Sequence, residues 1–146
     1  VRGESMPEAL YQIKMAHSED GLNWTRTKTP IIPTTLNEHE CQASPDVIYK
    51  NGRYHLFFCY RHGIDFRDNE RGYRIGYAYS DDLHHWTRQD ELAGLDISES
   101  GFDDQSVAYP HVFELDGEVY MFYLGNHVGK YGFGLAKLEN PNEVFK

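Results

Sequence analysis

Apolar and polar positions alternate in short runs along most of this chain, and the runs come in pairs. Val47-Ile48-Tyr49 and Tyr54-His55-Leu56-Phe57-Phe58 flank Lys50-Asn51-Gly52-Arg53. Val112-Phe113-Glu114 and Val119-Tyr120-Met121-Phe122-Tyr123 flank Leu115-Asp116-Gly117-Glu118 in the same way. Asn-Gly or Asp-Gly between two apolar runs predicts a tight hairpin, because these residues tolerate the positive φ that such turns require. Tyr73 to Tyr79 predicts a further strand, Ser80 to His85 a polar turn, and Trp86 the start of a fourth, short strand. No stretch keeps the 3.6-residue apolar spacing of a surface helix.

The same units recur. Residues 11–26 and 73–88 share Tyr11/Tyr73, Ile13/Ile75, Ala16/Ala78, Ser18/Ser80, Asp20/Asp82, Trp24/Trp86, Thr25/Thr87 and Arg26/Arg88 at an offset of 62. A weaker copy at 131–139 keeps Tyr131 and Ala136. Residues 44–61 and 109–126 share Pro45/Pro110, Val47/Val112, Gly52/Gly117 and Phe57/Phe122 at an offset of 65. Alternation of the two units gives a period of about 60 residues, and four antiparallel strands per period is the pattern of a β-propeller blade. The expected fold is all-β: about two and a half blades of a five-bladed β-propeller with four antiparallel strands each. The whole of 1–146 is read as a partial propeller, with the outer half of a blade over 11–30, a complete blade over 40–92 and most of a further blade over 100–146. Since a closed ring needs more, either two copies form a homodimer that completes the propeller or an N-terminal half is missing. The Ser-x-Asp-x-x-x-Trp segment is expected to tie blades together, its Ser and Asp bonding turn amides while the Trp packs between sheets. Its spacing is similar to the Asp-box turn of sialidase propellers.

A net charge of −9 without any basic cluster excludes nucleic acid as the expected partner. No apolar run approaches the length of a membrane span, so no membrane partner is expected. The first residues, Val1-Arg2-Gly3-Glu4-Ser5, do not read as a signal peptide, which favours the cytoplasm without fixing the location. Cys41 and Cys59 sit in apolar flanks and read as buried free thiols. His39-Glu40-Cys41 lacks metal-ligand spacing, and neither a metal nor another cofactor is expected. Asn23-Trp24-Thr25 matches a glycosylation acceptor but is discounted because its Trp should be buried.

Candidate chemistry gathers where the inner strands begin. The offset of 65 places Glu40 and Gln105 at equivalent points, with Asp103 and Asp104 just upstream of the second. Glycoside cleavage needs two carboxylates across a pocket, and Glu40 with Asp103 or Asp104 is the candidate catalytic set. Gln42, Asp46, Tyr109 and His111 converge as candidate substrate-binding residues. Arg61, His62, Asn126 and His127 end the returning strands and are candidates for the same pocket, Arg61 for a sugar carboxylate or phosphate.

The runs YRIGYAYSDDLHHWTR, GLDISESGFDDQSVAYPHVFELDGEVYMFYLGN and GKYGFGLA resemble the C-terminal half of bacterial glycosidase-like five-bladed propellers. Those proteins are related to the glycoside hydrolase propellers of families 43, 32 and 130 and are often encoded with polysaccharide-biosynthesis functions. The resemblance spans residues 11–138 and implies a carbohydrate partner. In such relatives the segment matching Phe102-Asp103-Asp104-Gln105-Ser106 more often reads Trp-Asp-Ser-Glu-Met. Gln105 thus stands where a Glu is usual, and glutamine does not exchange a proton at neutral pH. The leading expectation is a glycoside hydrolase-like protein that acts on or binds a carbohydrate. Its alternatives are a non-catalytic or degenerate carbohydrate-binding propeller fragment and a phosphate-dependent glycoside phosphorylase.

Overall fold

A computed structural model describes residues 9–36, 39–67 and 70–146; the chain's first residues, on which the signal-peptide reading rests, lie outside them. The described chain forms three antiparallel sheets in sequence order. The first pairs β1 (Ala16–His17) with β2 (Thr25–Arg26). The central sheet runs β3 (Glu40–Lys50), β4 (Arg53–His62), β5 (Arg74–Ser80) and β6 (Thr87–Arg88), each beside the next. The third contains β7 (Ala108–Leu115), β8 (Glu118–Leu124) and β9 (Phe133–Lys137). The all-β, antiparallel expectation matches this architecture. The strand complement is two, four and three, so only the central sheet has the four strands assigned to every blade.

Both hairpins turn where the Asn-Gly and Asp-Gly pairs stand, with Asn51 and Asp116 at φ 53° and 52° and Gly52 and Gly117 following at 83° and 81°. Two consecutive positive φ values match the right-handed twist of the flanking strands. The inner strands β3 and β7 share a second feature. Each carries a bulge, between Ala43 and Asp46 and between Ala108 and His111. In each, a non-glycine residue adopts positive φ (Ser44 at 51°, Tyr109 at 53°) and is followed by the proline of the repeat. Proline has no N–H for the ladder and is tolerated at a bulge, which also re-aims the side chains beside it.

The sheets stack face to face. Leu56, Phe58 and Ala78 of the central sheet close on Ile13 and Ile32 of the first segment, with Trp86 half-buried at their edge. The opposite face of the central sheet places Phe57, Cys59, Ile75 and Tyr77 against Val112, Val119, Met121 and Tyr123 of the third. Cys41 and Cys59 are buried free thiols, and burial raises the Cys59 pKa to about 11. The chain's last described residues fold back over the central sheet: Tyr77 donates its hydroxyl to the Val144 carbonyl (3.1 Å) and Phe145 packs edge-on against His55.

The Ser-x-Asp turns are built alike. Asp20 Oδ1 accepts the Leu22 and Asn23 amides, both at 2.8 Å, and Asp82 Oδ1 accepts those of His84 and His85 at the same distance. Bonds from Asn23 hold the Asp20 carboxyl well below the usual carboxylate range, and bonds from His85 do the same to Asp82. The tryptophans differ: Trp86 is half-buried, whereas Trp24 is 62% exposed. The burial expected of both is met at one, and Asn23, next to Trp24, has its side-chain amide committed to Asp20 Oδ2 at 2.7 Å.

Candidate functional site

The candidate residues lie at one end of the central and third sheets, where β3 and β7 begin and β4 and β8 finish. Two glycines let the incoming loops approach there. A Cβ on Gly63 would lie 2.7 Å from the His39 carbonyl oxygen, and one on Gly125 would lie 2.4 Å from that of Phe102. Only glycine leaves room for such crossings.

Around Glu40 the structure builds a buried polar hub. Its Oε2 accepts the Thr35 and Leu36 amides at 2.8 and 3.0 Å. Its Oε1 accepts Gln42 Nε2 at 2.8 Å and Arg88 Nη1 at 2.6 Å. The Arg88 guanidinium also holds Asp90 through Nε (2.9 and 3.0 Å), donates to the Pro33 carbonyl (2.7 Å), and lies over the rings of Phe58 and Tyr60. Neither Glu40 nor Arg88 reaches solvent, with side-chain exposures of 0% and 2%. Burial pushes the Glu40 carboxyl up, but donors from Gln42, Leu36, Thr35 and Arg88 outweigh it, and the net shift is downward. Glu40 is therefore held as a carboxylate with both oxygens occupied. Gln42 is part of the hub, its Nε2 also directed at the Ile32 and Pro33 carbonyls.

The second assembly is a clamped loop. Asn126, buried at the end of β8, accepts the amides of Gln105 (2.8 Å) and Ser106 (3.1 Å) on Oδ1. Its Nδ2 donates to Asp104 Oδ1 at 2.7 Å and to the Gly101 carbonyl at 3.2 Å, and its own amide donates to the Phe102 carbonyl at 2.7 Å. One side chain thus fixes both ends of the loop that carries the two aspartates. Asp103 points inward and accepts the Tyr123 hydroxyl at 2.8 Å; burial, then Asp103, raises the Tyr123 pKa to about 12. Asp104 stays half-buried, and among the described residues its Oδ2 receives only the long Gly101 amide contact at 3.3 Å. Gln105, the repeat partner of Glu40, is anchored by its backbone, whose carbonyl accepts Arg74 Nη1 at 3.1 Å.

The remaining candidates divide. Asp46 and His111, equivalent in the repeat, meet across the two inner strands: Asp46 Oδ2 accepts the Val112 amide at 2.5 Å and sits 3.0 Å from His111 Nδ1. Tyr109 leans on Tyr73 with ring centroids 5.9 Å apart. Arg61 is buried between the sheets, with its guanidinium 3.7 Å from the Phe66 ring centroid and bonds to the His62 and Ala9 carbonyls. That placement packs Arg61 inside the fold rather than presenting it to an anion. His62 is half-buried, its amide donating to the Arg71 carbonyl, and His127 occupies a turn at φ 53°. Glu40 opens β3 of the central sheet and Asp103 lies in the loop before β7, and among the described residues the two share no hydrogen-bond partner.

Residues outside the sequence-derived set complete the region. Tyr60, Arg74, Asp90 and Asp96 line a cleft of about 550 Å³. Asp96 pairs with Arg74 Nε at 3.2 Å, and Asp90 joins the Glu40 hub through Arg88. The Thr-Arg pair at 87–88 was visible only as part of a repeat, and Asp90 and Asp96 carried no pattern at all. Among the described residues, no group of three or more His, Cys, Asp or Glu side chains is placed to hold a metal ion. No described helix is long and apolar enough to cross a membrane.

No family model matches the chain. Two uncharacterized proteins of Mycobacterium tuberculosis, MT1551 and Rv1502, are each 33% identical to it over 138 residues, covering 94% of this chain and 44% of their own length. The chain therefore spans less than half the length of the curated relatives it matches. Among solved structures, one titled a glycoside hydrolase aligns with a TM-score of 0.65 at 21% identity, covering 86% of this chain and 35% of that one. A family 32 β-fructofuranosidase of Bombyx mori aligns with a TM-score of 0.63 at 17% identity, covering 90% and 28%. At such identities the likeness establishes the fold: the three stacked sheets are a portion of the propeller-type fold of glycoside hydrolases.

Proposed function

We propose that this chain is part of a glycoside hydrolase-like protein that binds a carbohydrate at the strand-mouth end of the central and third sheets and acts on its glycosidic bond. The observation that carries the reading is the clamped loop. Asn126 holds the loop that carries Asp103 and Asp104, and Arg74, whose Nη1 bonds the Gln105 carbonyl of that loop, also lines the cleft with Tyr60, Asp90 and Asp96. A tyrosine face, an arginine and several carboxylates around one opening suit a polyhydroxylated ligand. Pre-set carboxylates are what glycoside cleavage requires, one protonating the leaving oxygen and the other serving a water or the anomeric carbon.

Within this reading Asp104 is the carboxylate best placed to meet the ligand, because it is half-buried where Glu40 and Asp103 are buried, and among the described residues its Oδ2 receives no donor closer than the Gly101 amide at 3.3 Å. Asp103 is oriented by Tyr123 behind it. Glu40, with both oxygens committed inside the hub, shapes the cleft through Arg88 and Asp90. The organisation into an outer half, a complete unit and most of a further unit, over 11–30, 40–92 and 100–146, belongs to the same proposal.

The test is turnover and binding on a panel of aryl glycosides and oligosaccharides, run with and without phosphate. Asp104→Asn is expected to lower kcat/KM by about 10²-fold or more with the fold intact, the range for loss of an acid–base group. Binding without turnover, weakened by the same substitution, would assign a purely carbohydrate-binding role, and Gln105 favours that second reading. A phosphate requirement would assign phosphorolysis. Absence of both binding and turnover across the panel would overturn the proposal.

A further inference from the structure

The carboxylates of Asp90, Glu91 and Asp96 line the cleft of about 550 Å³, and among the described residues the cation that lines it is Arg74. That guanidinium is engaged on two sides. Its Nη1 donates to the Tyr73 carbonyl at 2.9 Å and to the Gln105 carbonyl at 3.1 Å, and its Nε lies 3.2 Å from Asp96 Oδ1. Two further arginines have buried side chains. Arg88 holds Glu40 and Asp90, and Arg61 lies against the Phe66 ring with bonds to the His62 and Ala9 carbonyls. The carboxylates of the cleft have more access to water. The Asp96 side chain is 76% exposed against 20% for Arg74, and Glu91 is exposed as well. The charge that the cleft presents to solvent is therefore negative, while its positive charge is turned toward protein groups.

We infer that this cleft selects its sugar by charge: it takes uncharged or amino-bearing units and turns away units that carry a carboxylate, sulfate or phosphate. The inference rests on the carbohydrate reading above and names the ligand class of the same site. A sugar carboxylate that enters the cleft meets Glu91 and Asp96, and like charges brought together in a partly desolvated site are strongly disfavoured. To recruit Arg74 it must draw the guanidinium away from Asp96 and from the Gln105 carbonyl. The second of those bonds fastens the loop that carries Asp103 and Asp104, on which Asn126 also acts. An anion bound at Arg74 thus leaves Asp96 unpaired and loosens the aspartate loop. Sugar hydroxyls bring neither penalty, because they donate to the carboxylates as these stand, and an ammonium adds its attraction to the same groups. Arg74 is in this account a positioning residue for the loop, and the exposed carboxylates determine which sugars enter.

Matched p-nitrophenyl glycosides test it: the glucoside, glucosaminide and glucuronide, with their galactose, galactosamine and galacturonic acid counterparts. Binding to the full chain is followed by NMR, which reads the Arg74 Nε–H and the Gln105 amide directly. The neutral and amino members are expected to bind about tenfold or more tightly than the uronic ones at low salt, with the gap narrowing as salt is raised. Asp96→Asn, at an exposed side chain, is expected to shrink that gap while circular dichroism stays unchanged, which loss of a merely structural contact does not do. Inorganic phosphate is expected to leave the Arg74 Nε–H signal in place. A uronic glycoside that binds as tightly as its neutral counterpart, or phosphate that shifts the Arg74 signal, would overturn the inference while the carbohydrate reading stands. Failure of every glycoside in this set and in the wider panel to bind would remove the carbohydrate reading itself, and the inference with it.

Discussion

Replacing Arg88 by methionine removes the cation that pairs with Glu40 and leaves its volume nearly filled. Arg88 lies 2.6 Å from Glu40 and 2.8 Å from Asp90, and both it and Glu40 are shut off from water. Deleting one partner of such a pair strands a buried charge and costs about 3–5 kcal/mol. Domains of this kind are stable by about 5–15 kcal/mol in all, so Arg88→Met should remove roughly a fifth or more of the total and lower the Tm by roughly 6–20 °C. Urea denaturation followed by tryptophan fluorescence measures it. The pH dependence adds a second arm. The Glu40 carboxyl titrates lower folded than unfolded, so it binds its proton more weakly in the native state. Its contribution is therefore present above the unfolded carboxylate pKa of about 4.3 and is lost as pH falls through the lower folded value. The stability gap between wild type and Arg88→Met should accordingly narrow as the solution is acidified through that range. Glu40→Met combined with Arg88→Met should cost less than Arg88→Met alone, because the fully buried carboxylate goes with its partner and only the partly exposed Asp90 is left without the arginine. A neutral-pH loss below about 1 kcal/mol, the level of an exposed pair, would refute the buried-hub account.

Asn126→Ala should release the Gly101–Ser106 loop, destabilise the fold by about 1–3 kcal/mol for the buried polar groups left unpaired, and speed amide exchange at Gln105 and Ser106, read by NMR. Gly125→Ala places a methyl 2.4 Å from the Phe102 carbonyl oxygen and should destabilise by about 1–3 kcal/mol in thermal melts, although the backbone there needs no positive φ. Trp86→Ala should cost more stability than Trp24→Ala in the monomeric state, because Trp86 packs on the inter-sheet core while Trp24 is 62% exposed; equal losses in denaturant titrations at low protein concentration would contradict the packing described.

The fold was legible because its signals are local and repeated. Asn51-Gly52 and Asp116-Gly117 encode hairpins through the φ angles they tolerate, and Ser18/Asp20 and Ser80/Asp82 encode turns through bonds spanning two or three residues. Prolines 45 and 110 stood out as repeat-equivalent, yet nothing local marked them as bulges, since a bulge is defined by a register shift against a partner strand. The site was less legible for the same reason. Glu40 stood out as a carboxylate at a strand mouth, but its meaning depends on Arg88, which is 48 residues away. Asn126 stood out as a strand end, but its role depends on five backbone and side-chain groups between Gly101 and Ser106.

The hub also changes what Gln105 means. Read from the sequence, a glutamine in place of a glutamate suggests a lost catalytic group. In the structure, the glutamate at the equivalent place is Glu40, and its charge is tolerated because β6 delivers Arg88 to it. Around Gln105 the described cation is Arg74, whose Nη1 bonds the Gln105 carbonyl at 3.1 Å. Gln105 is half-buried there, and glutamine keeps the shape and the hydrogen-bonding capacity of a glutamate without its charge. Whatever chemistry this chain performs is better sought at Asp104, whose carboxylate Asn126 holds through Oδ1 while its Oδ2 receives the long Gly101 amide contact.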